Sequence, residues 1–583
     1  MTERDSVAIT EGNEGITFAL LINGKESTAS ADVVRIIVRK GFNQLSSAEI
    51  VLLDGDVSEG SFDVSNSKDF LIGNEIEVHA GYDGKKEIIF KGIIIKQAIK
   101  SGENGSALTV TARNLAYSMA LQRDSLVSSD KTDSDVMRQL IQKHGLKANV
   151  EDTSVQYETL TQFNCSDWDF LNMRAEANAM LVYTADDEII VQKPKPAADA
   201  KLEISYGSLV YDFEMEMDGR TSFPDYKASA WNFTHQEPDL VEQKTGLGET
   251  KQGNVSAADL ASALGNKTCK LAVPSSLNNP DVLSGWLDTR ILHDNLSRIT
   301  GHVTVQGFAD IHPGDCINLQ RVGDRFNGPT LVSGVEHRIE DNWHTTIRFG
   351  LEAEVYARKY DDINDLKASG MLPAVNGLQT GKVVQIEEDP LGEDRVLVRL
   401  PHFPESEDSF WARVAAPDAG KERGVFFRPE IDDEVVVGFI DDHPNHAVIL
   451  GMLNSSQLPA PIPAEKKNAL KGIYTREKIK LEFDDEKKCI YMETPGGNKL
   501  SISDEDKAIA LEDEHGNKIT MNADGITVES AKALNLKAST DVVIEGSNIN
   551  IKAQAAFKAE GASQAEVSSS GNAVLKGAVV QIN

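Results

Sequence analysis

Near the carboxyl end, apolar residues two apart recur with a period close to eight, a pattern that few architectures can use. The pairs fall at Ile526/Val528, Leu534/Leu536, Val542/Ile544, Ile549/Ile551, Phe557/Ala559, Ala565/Val567, Ala573/Leu575 and Val580/Ile582, in steps of 8, 8, 7, 8, 8, 8 and 7 residues. Two residues beyond each pair except the last stands a small residue: Ser530, Ala538, Gly546, Ala553, Gly561, Ser569 and Gly577. Residues i and i+2 share one face of an extended chain, and a small residue then lets the chain turn a corner. A repeat this short encloses almost no core alone, so it must stack on neighbours. Three chains winding together would close the sheet and remove its edges. The alternative, a disordered Ala/Ser-rich tail, does not account for the unbroken run of matches.

A second regularity lies between each pair and its corner. There stand Glu529, Lys537, Glu545, Lys552, Glu560, Ser568 and Lys576, with signs alternating until Ser568. Stacked on an outer face, these residues would set opposite charges on adjacent strands of different copies. An exposed pair contributes only about 0.2–1 kcal/mol, so the expected benefit is selection of register.

Ahead of the octads, short alternating runs of Val, Ile and Thr favour strands. Residues 1–375 are expected to form one mixed, strand-dominated region with barrel strands at Ile88-Ile-Phe-Lys-Gly-Ile-Ile-Ile and Ala107-Leu-Thr-Val-Thr-Ala. Two helices interrupt it. One begins at Asp133, with Val136, Met137, Leu140 and Ile141 on one face and Gly145 as its stop. The other is capped by Ser166 and carries Trp168, Phe170, Leu171 and Ala175. Residues 376–455 hold five strand signals and suit a small Greek-key barrel of the OB type. A proline-rich linker, 456–468, separates it from a needle over 469–583, in which Gly497-Asn-Lys-Leu-Ser-Ile-Ser returns at Gly516 as Gly-Asn-Lys-Ile-Thr-Met-Asn.

Charge and motifs narrow the function. With 59 Lys+Arg against 91 Asp+Glu, the formal net charge is −32, which disfavours nucleic acid and anionic lipid as partners. The four cysteines, Cys165, Cys269, Cys316 and Cys489, form no CxxC pair and are expected to be reduced. No apolar run follows Met1-Thr-Glu-Arg-Asp, so synthesis in the cytoplasm without a signal peptide is expected. HExxH, Gly-x-Ser-x-Gly and GxxxxGK[ST] are absent. Gly377-Leu-Gln-Thr-Gly-Lys-Val is one residue short of a phosphate loop and is expected to lead into the first barrel strand. His443-Pro-Asn-His446 suits a hairpin turn better than a metal site, because proline breaks the helix that would align two histidines. Trp343 and Trp411 are expected as core or interface anchors. No catalytic, cofactor or metal residue is assigned.

Several segments resemble one family. Arg395-Val-Leu-Val-Arg-Leu, Phe410-Trp-Ala-Arg-Val-Ala, Arg428-Pro-Glu-Ile-Asp-Asp-Glu-Val-Val-Val-Gly-Phe and Ile449-Leu-Gly-Met-Leu resemble the OB domain of VgrG and phage baseplate spike proteins. Asp167-Trp-Asp-Phe-Leu, His312-Pro-Gly-Asp, Phe326-Asn-Gly, Val332-Ser-Gly-Val-Glu-His and Trp343-His-Thr-Thr look like that family's hub. The resemblance implies a mainly β, multidomain chain: a hub of β-barrels with a few helices, an OB barrel, and an intertwined triple-stranded β-helix needle. It further implies a non-enzymatic homotrimer at the end of an inner tube in a contractile injection particle. Inner-tube and baseplate proteins would be its partners, and sheath contraction would drive it through a target envelope that it contacts transiently. A small conical, PAAR-like tip protein would dock on Val579, Val580, Gln581, Ile582 and Asn583. A cell-wall-degrading tail enzyme is the alternative; its catalytic insertion is missing near 456–468, and no effector follows the octads. A passive fibre or adhesin is a third reading, disfavoured by the hub and barrel ahead of the needle.

Overall fold

The alternating runs near the amino end become strands, as their period requires. The computed structural model describes residues 15–56, 58–102, 105–196, 198–208, 210–244, 247–273, 279–403 and 409–582. The run beginning at Ile88 lies in the long strand Lys85–Gly102, which pairs antiparallel with Gly105–Arg113. Both belong to a sheet with thirteen strands among the described residues. Its two halves, one drawn from residues before 114 and one from residues after 201, meet where Gly328–Ile339 pairs antiparallel with Val33–Gly41. One face of the first half buries Leu20, Ile36, Ile50, Ile76 and Leu108. Trp343 closes this core and stacks on Tyr82 at 5.5 Å.

The chain divides into two compact units, residues 1–376 with 441–444, and 377–440 with 445–583. In the first, both expected helices form. Asp133–Lys143 starts from Thr132, whose hydroxyl accepts from the Asp135 backbone N–H, and Asp167–Glu176 starts from Ser166. Each satisfies backbone donors that its first turn would leave orphaned. The buried Asp133 carboxylate receives a two-pronged bond from Arg174 at 2.6 and 2.9 Å, which ties the two helices together.

Two further helices of eight residues or more correct the expectation of only two: Ala257–Leu264 and Pro280–Leu296. The second lacks a clean apolar stripe because Thr289, His293, Asp294 and Asn295 are buried along with its aliphatic residues. Its start was nevertheless written in the sequence, as Asn279 caps the Asp281 N–H ahead of Pro280 in the first turn.

The segment after the strand Trp343–Phe349 is fastened to these helices. Glu176 is buried and accepts from the Tyr356 backbone N–H at 2.7 Å and from Asn43 Nδ2 at 3.1 Å. His293 Nε2 lies 3.5 Å from the same carboxylate, an ion-pair contact rather than a hydrogen bond, while Nδ1 meets the Glu352 carbonyl at 2.9 Å. The Tyr356 hydroxyl donates to Asp169 at 2.7 Å. Farther along, the Arg123 guanidinium donates to the carbonyls of Asp362, Ile363 and Asn164.

In the second unit, Gln379–Gln385, Val396–Arg399, Phe410–Val414, Ala447–Met452 and Glu434–Phe439 close into the expected five-stranded barrel. Val383, Val396, Val398, Val435, Val437 and Ile449 fill it. Thr380, Gly381 and Lys382 lie within its first strand, and His443 and His446 lie in the turn between two paired strands. The Arg395 guanidinium sits over Trp411, 5.9 Å from the ring centre. Among the described residues no helix is long and apolar enough to cross a membrane.

Within the segment expected as a β-helical needle, 469–583, the single chain begins with paired hairpins. Leu470–Tyr474, Lys480–Asp484, Cys489–Glu493, Lys499–Ser503, Ala508–Glu512, Lys518–Asn522 and Gly525–Glu529 form a meander within one chain, each antiparallel to the next. The first octad pair, Ile526/Val528, belongs to its last strand. Residues 530–582, all described, carry no strand in the single chain. The hairpins form locally because their turns are strong, whereas an octad has no partner within its own chain.

Candidate assembly surface

The meander is built from a 19-residue hairpin unit. Its turns at 475–479, 494–498 and 513–517 close alike, with bonds from Thr475 N to Ile479 O, Thr494 N to Asn498 O and Asp513 N to Asn517 O at 2.9, 3.1 and 3.0 Å. In each turn one residue takes a left-handed conformation: Lys478 at φ +63°, Gly497 at +97° and Gly516 at +85°. Glycine suits that position, since it lacks the Cβ that crowds the following carbonyl. The sequence comparison of Gly497 with Gly516 found two units and missed the first, where lysine stands in glycine's place. The signal that remains there is Lys480-Leu-Glu-Phe, which parallels Lys499-Leu-Ser-Ile and Lys518-Ile-Thr-Met.

The register sorts side chains onto two unlike faces. One face carries two rows running across the strands. Ile473, Leu481, Met492, Leu500, Leu511, Ile519 and Val528 make the first; Phe483, Ile490, Ile502, Ile509, Met521 and Ile526 make the second. An open groove of about 790 Å³ runs along the first row and reaches Leu534. Met492, Leu511 and Val528 are 45%, 51% and 48% exposed. Soluble chains rarely leave a continuous apolar face of this kind in water. Complete burial of such a side chain is worth about 1.5–3 kcal/mol and covering its exposed half roughly half of that, so two half-exposed rows hold a large driving force for association.

The opposite face carries a column of alternating charge. Lys480, Glu493, Lys499, Glu512, Lys518 and Glu529 stand directly opposite one another on successive strands. Lys480 and Lys499 flank Glu493 at 2.8 and 3.7 Å, and these contacts lower the Glu493 carboxyl's pKa, with the Lys480 hydrogen bond as the main cause. The column ends on Glu529, the first residue of the alternation read from the octads. A cap marks that junction: Asn517 Oδ1 accepts from Ser530 Oγ at 2.8 Å and from the Ala531 N–H at 3.1 Å.

The other residues singled out in the sequence lie apart in the single chain. Among the described residues, no ion pair joins two of Glu529, Lys537, Glu545, Lys552, Glu560 and Lys576; Glu560 instead meets Lys558 two positions earlier. Val579, Val580 and Ile582 are exposed, by as much as 87% at Ile582, and Gln581 is exposed beside them. Asn583 lies outside the described residues.

Comparison with known proteins accounts for most of the chain. Residues 12–341, more than half of it, match a family model described as the Alg8 N-terminal domain. Residues 379–453 match the type VI secretion system/phage-baseplate injector OB domain, and residues 489–558 the phage baseplate V C-terminal trimerisation domain. The type VI secretion system spike protein VgrG1c of Pseudomonas aeruginosa is 22% identical over 435 residues, covering 68% of this chain and 57% of that protein. VgrG1b of the same organism is 30% identical over 152 residues, covering 24% of this chain and 20% of that protein. The chain thus spans between a fifth and three fifths of the length of these two relatives. A tail protein from Neisseria meningitidis MC58, 15% identical, aligns over 60% of this chain and 98% of its own with a TM-score of 0.44.

Proposed function

The chain belongs to the Alg8 N-terminal domain family and, through its OB and trimerisation domains, to the VgrG and phage-baseplate hub–spike family, and from that premise we propose that three copies form the central spike of a contractile injection particle. The carrying observation is the pair of apolar rows left in water by the single chain. They lie on a segment that overlaps the matched trimerisation domain, and three such faces turned inward would exclude water from all of them. From residue 530 onward the octads would continue the closed structure as an interlocked needle. The hub would sit on the inner tube and contact the baseplate, and contraction would push the needle through a target envelope. The role would be mechanical, and two of the buried acids, Asp133 and Glu176, are engaged in holding elements of the hub together.

The last rung would receive a separate small tip protein. Val579, Val580, Gln581 and Ile582, with Asn583, would present a blunt triangle of strand edges and apolar side chains, which suits capping by strand addition. Deleting residues 578–583 is expected to leave the trimer intact while abolishing both co-purification of the tip protein and delivery into target cells. Normal tip recruitment and delivery by the truncated protein would sink the docking role. Electron microscopy of purified particles tests the wider reading, which requires this chain at the end of the inner tube.

A further inference from the structure

The charge column is longer than the octads alone suggest, and it changes character at one residue. From Lys480 to Glu529 each rung finds its opposite within the same chain. Beyond Glu529 the chain carries no strand, yet the alternation goes on through Lys537, Glu545, Lys552 and Glu560. Asn517, on the turn before the strand that carries Lys518, grips Ser530 and Ala531 at that point and fixes where the chain leaves the sheet.

We propose that the column is a partner-selection code: the meander sets its register within each chain, and the octads then accept only copies whose charges alternate in the same phase. This rests on the trimer reading given above. In three interlocked chains, consecutive octads of one copy occupy successive faces, so the neighbours of Glu545 on its face come from other copies, as Lys537 and Lys552. A chain of equal apolar character but opposite phase would set like charges together at every rung. The apolar rows and octad pairs favour association without distinguishing copies, whereas the column discriminates, in the way that charged positions flanking a coiled-coil seam select partners. A cell that makes two spikes of similar needle shape would thereby keep them apart.

The test uses the full chain and a column-inverted partner. In that partner every lysine of the column from Lys480 to Lys576 becomes glutamate and every glutamate lysine, K537E and E545K among them, with K558E to keep the neighbour of Glu560. The two are co-expressed in equal amounts and their trimers counted by native mass spectrometry. Chance would place about three quarters of the trimers in the mixed classes, and the code predicts fewer than about one in ten. Refolding the mixture in about 1 M salt, where the screening length falls to about 3 Å, should return mixing towards chance. A neutral-column chain, with glutamine at every column position, should trimerise and mix freely with the natural one. Mixing at chance in low salt would overturn the code and leave the trimer standing, as would sorting that ignores salt or sorting by the neutral chain. An inverted chain that fails to trimerise alone, beside a natural chain that succeeds, would also overturn it, because phase rather than absolute sign is what the code reads. A natural chain that stays monomeric would instead remove the trimer reading itself.

Discussion

Leu500→Asp combined with Leu511→Asp is expected to turn the trimer into monomers while leaving the hub and barrel folded. The two leucines face each other across Lys499–Ser503 and Ala508–Glu512, in the middle of the first apolar row. In the single chain this face is in water, with Leu511 51% exposed, and substitutions at such sites usually change stability by only about 0.5 kcal/mol. In the closed trimer the same positions from three copies would converge on a dry interior. An unpaired carboxylate buried there costs several kcal/mol, of the order of 3–5 kcal/mol even after relaxation. Two per chain in three chains would gather six such carboxylates at one level of that interior, where each also repels the others. Sedimentation should show the loss of the trimer, and calorimetry should show an unchanged hub transition. Leu500→Met, which conserves volume, should keep the trimer. A trimer that persists at neutral pH with both aspartates in place would show that this face is not the interface.

Glu176→Ala is expected to destabilise the hub by about 3–5 kcal/mol, because it leaves a buried cation and a buried N–H without their partner. The carboxylate is 8% exposed and the His293 side chain 5%. Burial alone would lower the pKa of His293; the adjacent Glu176 carboxylate, with the Glu352 carbonyl, outweighs it and holds the imidazole above its ordinary 6.5. A group whose pKa is raised by folding adds stability that is complete below the unfolded value and fades as pH rises through the folded one. The hub should therefore be most stable on the acid side of neutrality with respect to this pair. In calorimetry, Glu176→Ala should lower the hub transition by on the order of 5–10 °C and flatten its dependence on pH around and above 6.5. Glu176→Ala with His293→Leu should recover part of the loss, since no buried charge is then stranded. An unchanged pH profile in the single variant would mean that another group governs the titration.

The two regions differ in how much of them the sequence disclosed, for a physical reason. The barrel and the octads announce themselves through local period: inward valines at Val383, Val398 and Val437, and paired aliphatics every seven or eight residues. The meander was half hidden. Its charge column steps by 13 and then 6 residues between Lys480, Glu493, Lys499 and Glu512, which no single period captures until the hairpin register is known. Ile526 and Val528 fit both the last hairpin and the first octad, so the boundary at Glu529 could not be placed from pattern alone. The latch on Glu176 was invisible, because Asn43, His293 and Tyr356 lie far apart in sequence and meet only in the fold. Helix Pro280–Leu296 escaped notice because burying polar residues along its length erased the stripe that marks a surface helix.

The measurement that bears most directly on the account is the mass of the intact protein in solution at neutral pH, by light scattering or native mass spectrometry. The account predicts a single species of three times 63.5 kDa that persists on dilution, because two apolar rows per chain are buried only when three copies meet. A stable, folded species of 63.5 kDa, with residues 530–582 protected from proteolysis, would contradict it.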